Sequence, residues 1–172
     1  MASLMENLFE VLAQECTAYE DLLRLAREKT AVVIRNDVEA LNRITEDEQD
    51  RSSLITNLDR KREVVMKDVA TVLNRDVANF KLSDLITAMA ARPAEAKKLK
   101  ELHDKLILTA TELQRVNAQN RELIASQMEI VQFELNLLQA TKSAPETANY
   151  SRGGYSAGDT MGVVKGGFDA KQ

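Results

Sequence analysis

LNRITEDEQDRSSLITNLDRKREVVMKDVATV, residues 41–72, places Leu41, Ile44, Glu48, Arg51, Ile55, Leu58, Arg62, Val65, Val69 and Val72 at alternating steps of three and four. The sum of the two steps is seven, the period of helices wound about a partner. Three of these seam positions are charged. The stems of Arg51 and Arg62 can lie along apolar surface while their heads stay wet or meet an acid on a neighbouring helix. The spacing therefore predicts interhelical pairing, such as Glu48 with an Arg, rather than a break in the seam.

Working outward toward the N-terminus, Asn36 and Asp37 interrupt the pattern. Asn tolerates the left-handed conformation that ends a helix, and Asp can cap the next one by accepting from its free amides. A tight reversal is expected there. Before it, from Leu4 to about Ile34, Leu8, Leu12, Tyr19, Leu22, Ala26 and Val33 recur at helical steps, so the first two helices are expected to lie antiparallel.

Toward the C-terminus the pattern stops after Arg75. Ser83 reads as the N-cap of a short connecting helix carrying Leu85, Ile86 and Met89, halted by Pro93. From Ala94 to about Ala140 a third long helix runs through Leu99, Leu102, Leu106, Leu113, Val116, Leu123, Ile130 and Leu137. At ~1.5 Å per residue it reaches roughly 70 Å, longer than a compact domain of this mass is wide. The expected fold is all-α: an elongated antiparallel bundle of three long coiled-coil-like helices plus one short connector.

Composition agrees. Only 4% of the 172 residues are aromatic, there is no Trp, and 29% are charged, the balance of long helices with a thin aliphatic core. All six glycines fall between Gly153 and Gly167, and the two prolines are Pro93 and Pro145, so the chain before Pro145 is nearly free of helix breakers. The expected division is a helical-bundle domain over 1–142 and a flexible Gly-rich tail over 143–172, too poor in apolar residues to order itself.

Several function classes are disfavoured. A net charge of -4 argues against nucleic acid as partner, and Lys97, Lys98 and Lys100 read as a solvated helix start. No run approaches the ~20 apolar residues of a membrane span, so no membrane insertion is expected. The segment Met1–Leu12, with Glu6 and Glu10, lacks the basic and continuous apolar parts of a secretion leader. The single Cys16 has no partner for a disulfide and fits a reducing cytosol. Cys16 and His103 are the only residues of their kinds and carry no supporting motif. Glu46, Asp47, Glu48 and Asp50 lack the spacing of a calcium loop. No catalytic, cofactor or metal residues are expected, and the chain does not read as an enzyme.

One stretch of the third helix stands out. Continuing the seam from Leu99, Leu106 and Leu113 by sevens brings Asn120, then Gln127, then Glu134 to positions where aliphatics had been. Two readings stand: a buried amide that fixes helix register, or a mixed groove in which Asn117, Asn120 and Gln127 bond a partner's backbone while Leu123, Ile124, Ile130 and Val131 supply apolar contact. The aromatics of the tail likewise read either as a docking motif or as parts of a passive tail.

These residues together resemble the FlgN family of flagellar type III export chaperones. The likeness runs through Glu15, Tyr19, Leu22, Leu23 and Lys29, then Asp37, Leu41, Ile44 and Glu48, then Leu58 and Arg62. It continues in Asn117, Asn120, Leu123 and Ile124 and ends with Tyr150, Gly154 and a terminal Asp-Ala-Lys stretch. The resemblance implies a cytoplasmic chaperone that binds the terminal helical segments of hook-associated proteins and delivers them to the flagellar export apparatus. It places client binding on the third helix, at Leu113, Val116, Asn117, Asn120, Leu123, Ile124, Gln127, Ile130 and Val131, and export-gate docking at Tyr150, Gly154 and Tyr155. The competing expectation is a structural coiled-coil adaptor that self-associates or binds another helical protein; a homodimer is compatible with either.

Overall fold

The computed structural model describes residues Ala2–Ser143, and they form an all-α fold of four helices: α1 (Ala2–Ile34), α2 (Val38–Val72), α3 (Leu82–Ala88) and α4 (Pro93–Ser143). Two units are distinguished, Met1–Glu134 and Leu135–Gln172. The first holds α1, α2, α3 and most of α4. The described part of the second, residues 135–143, is helical throughout and carries exposed Leu135, Leu137 and Leu138.

The reversal after α1 forms where Asn36 and Asp37 interrupt the pattern. Asn36 takes φ 54°, its N–H donates to the Val33 carbonyl, and the Asp37 N–H donates to the Val32 carbonyl. This pair of bonds satisfies carbonyls that the end of a helix leaves open. The Asp37 carboxylate then accepts from the Ala40 N–H at 2.9 Å and caps α2. Asn74, with φ 52°, ends α2 by the same device, its own N–H bonding the Thr71 carbonyl and that of Arg75 the Ala70 carbonyl.

The connector departs from expectation in detail. Its helix begins at Leu82, with Ser83 inside it, and the capping contact is made by Asp84, which accepts from the Lys81 N–H at 2.9 Å. The carboxylate two residues into the helix reaches back to a donor that the Ser83 hydroxyl would not serve. Pro93 both follows the connector and opens α4 as its first residue, the helical position where a missing N–H removes no bond.

Within the first unit, α1 and α2 run antiparallel, joined along their length by Glu15 to Arg62, Asp21 to Arg51 and Lys29 to Glu48. All three charged seam positions of α2 are thus paired; Glu48 meets a lysine, not an arginine. α4 runs parallel to α1: the Cys16 thiol lies 3.6 Å from the Leu102 carbonyl, Glu20 meets Lys105 at 2.8 Å and Arg27 meets Glu112 at 3.2 Å.

Apolar burial is concentrated at one end. Met5, Leu8, Leu12, Val69, Leu82, Leu85, Met89 and Leu99 form one cluster drawn from all four helices. Leu8, Leu12, Leu85 and Leu99 are fully buried, each contributing about 1.5–3 kcal/mol relative to exposure. Lys98 lies over the Phe9 ring at 4.6 Å beside this base. Toward the reversal the packing thins: every residue of α2 from Val38 to Asn57 keeps part of its surface in solvent, whereas Leu58, Val69 and Ala70 are buried.

Candidate functional site at the reversal end

The difference between the two ends is set by where α4 loses its neighbours. Leu113 and Val116 are buried with Ala26 in a small cluster flanked by Tyr19, Leu22 and Leu23. One turn on, Asn120 is 3% exposed and fixed at both ends of its amide. Its Nδ2 donates to the Ala26 carbonyl at 2.7 Å, and the Thr30 hydroxyl donates to its Oδ1 at 2.6 Å. A buried amide left without partners would cost about 1–3 kcal/mol, so these bonds hold α4 to α1 at one register. From Met128 onward, every α4 residue whose burial is described is exposed.

Between these two regimes lies an apolar groove of about 330 Å³. It is lined by Val32, Val33, Asn36 and Asp37 from the end of α1 and the reversal, by Val38 and Leu41 from the start of α2, and by Ile124, Gln127, Met128, Val131 and Gln132 from α4. Val32 and Val33 are buried and form its floor, while Val38 is 66% exposed and Met128 68%. A helical step of three or four residues brings Ile124, Gln127, Met128 and Val131 to one face of α4. Asp37 is the groove's ionisable residue, and its Oδ1 is already engaged in capping α2. Apart from that carboxylate the lining is uncharged and mostly apolar, and it is open to solvent. Its chemistry is that of covering apolar side chains.

The residues expected to meet a partner are divided by the fold. Ile124, Gln127 and Val131 line the groove, and Leu123 is half-buried close by. Ile130 is exposed but is not part of the groove lining, and Asn117 is exposed about two turns before the groove. Leu113, Val116 and Asn120 are withdrawn from solvent and spent on α1 in this conformation, because the seam continues through them without interruption. The Asn120 bonds to Ala26 and Thr30 are those of a register-fixing amide, one of the two readings that its position left open. Tyr150, Gly154 and Tyr155 lie outside the described residues. Val32, Val33, Val38, Leu41 and Met128 were not among the expected contacts. The signal for the first three was present as the apolar residues Val32, Val33 and Ile34 before the Arg35-Asn36-Asp37 turn and Val38 directly after it.

Away from the groove, buried Glu15 is the least comfortable polar group. Its Oε1 accepts from Arg62 Nε at 3.0 Å, while its Oε2 has no hydrogen-bond partner. Burial pushes its carboxyl above the ordinary value of 4.5 despite the attraction of Arg62, which is shared with Asp59. Among the described residues no group of three His, Cys, Asp or Glu side chains could hold a metal ion. No helix among them is long and apolar enough to cross a membrane.

Comparison with known proteins gave no matching curated protein and no matching solved structure. The family model described as FlgN protein matches residues 1–157, which takes in all four helices, the Asn120 latch and the groove. The chain belongs to the FlgN family, a family of chaperones for flagellar export and assembly.

Proposed function

We propose that the chain is a cytosolic export chaperone that holds the terminal helical segments of flagellar hook-associated proteins in the groove at the reversal end and delivers them to the type III export gate. The observation that carries this reading is the apolar groove itself, with Val38 of α2 and Met128 of α4 in its lining open to solvent, and further exposed apolar residues, Ile130 and Phe133, on other faces of α4. An amphipathic client segment that would self-associate if free can bury its apolar stripe there.

The energetics suit a client that must later leave. Two or three apolar side chains sunk into the groove gain about 1.5–3 kcal/mol each, against a cost of ~4–15 kcal/mol for association. The groove alone gives a weak hold, and contact along the exposed part of α4 is needed to make it protective. In this reading residues 1–142 act as the client-holding domain and 143–172 as a tail, with Tyr150, Gly154 and Tyr155 docking on the export apparatus.

Size exclusion with light scattering tests the proposal, on the full chain alone and mixed with a hook-associated protein. A heterocomplex of defined mass that appears only on mixing is the expected result. A tight homo-oligomer that survives dilution and ignores the hook-associated protein would replace the chaperone reading with that of a structural adaptor.

A further inference from the structure

We infer that residues 38–57 of α2 form an arm that opens from α1 as one unit while α1 and α4 stay locked together, and that its opening removes one wall of the groove. No client is required for this motion.

Lys29 and Thr30 are neighbours in α1, and each is bonded to a different helix. Thr30 donates to the buried amide of Asn120 on α4, which also bonds the Ala26 carbonyl, and Leu113 and Val116 are buried against Ala26 just before it. Water has little access to this contact. Lys29 instead meets Glu48 of α2, and about two turns earlier on α1 Asp21 meets Arg51 at 3.6 Å. Both pairs keep part of their side chains in solvent. Beside them lies a cleft of about 350 Å³, lined by Arg24 and Leu25 of α1 and by Asp47, Asp50 and Arg51 of α2. Apart from Leu25 its lining is charged, so the cleft holds water in preference to packed side chains.

Burial along α2 changes at Leu58. From Val38 to Asn57 no residue is buried, and the seam residues Leu41, Ile44 and Ile55 are only half-buried. Beyond that point Leu58, Val69 and Ala70 are buried, and Val65, Met66 and Leu73 pack on the core of the base. Arg62 secures this second half: its Nε donates to buried Glu15 at 3.0 Å, and the same guanidinium is braced by Asp59 on its own helix. Separation there would leave the buried carboxyl without its donor. The base half of α2 therefore stays docked.

Segments with few buried apolar contacts open locally before the whole molecule unfolds. Once detached, a stretch of about 20 residues is marginal as a helix in water, so the arm unwinds and its amides lose protection together. No hinge glycine is needed. Leu25, buried on α1 beside the cleft, gives the docked arm its apolar hold and draws it back. Val38 and Leu41 travel with the arm, so the groove is complete only while the arm is docked.

Amide hydrogen exchange on the full-length chain alone, in native buffer, tests this. In wild type, amides in 42–57 are expected to exchange about tenfold or more faster than those in 62–72 and 113–120. Lys29→Met, which strips half-buried Glu48 of its partner, is expected to speed 42–57 by a further fivefold or more, roughly, and to leave the other two segments at wild-type rates. Lys29→Glu combined with Glu48→Lys restores the wild-type rate. Lys105→Gln, which breaks the exposed pair with Glu20 between α1 and α4, leaves 42–57 unchanged. Should Lys29→Met lose helicity, Asp21→Asn, at the more exposed pair, carries the same expectation at about twofold. Equal exchange in 42–57 and 62–72 of wild type, acceleration of all three segments together, or no response to loss of the ion pair overturns the inference.

Discussion

The base of the bundle and its reversal end are built from the same three long helices, yet only the base is closed. At the base, α3 adds Leu82 and Leu85 to side chains from α1, α2 and α4, and eight residues close a continuous core. At the other end no fourth helix is present among the described residues; α2 is held to α1 there largely by Asp21 to Arg51 and Lys29 to Glu48. The groove lies at that end. What the difference teaches is that closure of the core depends on α3, and that without such an element the reversal end keeps apolar lining residues such as Val38 and Met128 in solvent.

The contrast predicts that stability and binding separate along the molecule. Leu99→Ala, at the closed end, should cost about 2–5 kcal/mol by chemical denaturation, while the protein that remains folded binds client as wild type does. Loss of binding by folded Leu99→Ala would break the separation. Asn120→Ala, at the border, should cost about 1–3 kcal/mol, because the Ala26 carbonyl and Thr30 hydroxyl lose a buried partner. Leu41→Ala, in the half-buried groove wall, should change stability by about 1 kcal/mol or less and yet weaken client binding measurably by calorimetry.

The smallest effect is expected from Glu15→Gln and is read as a slope. Since the native carboxyl holds its proton to higher pH than the unfolded one, wild-type stability falls as pH rises from about 4.5 through the raised native value. The glutamine variant lacks this component and should gain on wild type over that window, followed by urea midpoints at several pH values. Parallel profiles would mean that Arg62 compensates for the burial fully.

Most of the fold was legible because its signals are local. The seven-residue spacing from Leu41 to Val72 gave α2, and Asn36-Asp37 gave the reversal, since chain direction there is decided by a left-handed residue and a capping carboxylate. The connector's start was misread by two residues, Ser83 for Lys81, because the capping contact comes from the third helical residue, Asp84, reaching back to the Lys81 N–H, and not from a side chain at the cap itself. The site was half legible. The periodicity placed Ile124, Gln127 and Val131 on one face of α4, but it could not separate that face from the buried Leu113, Val116 and Asn120 just before it. That boundary depends on where α1 ends beside α4, a relation between residues about 90 apart in sequence. Val38 and Leu41 were missed for the same reason: they meet α4 only after the chain has reversed.

Amide hydrogen exchange on the full chain, alone and saturated with a hook-associated protein, tests the central claim most directly. Slowed exchange confined to residues 32–41 and 124–132, with the base around Leu85 and Leu99 unchanged, is the predicted result. Slowing that spares both groove walls, or that appears only at the base, would contradict a client held at the reversal end.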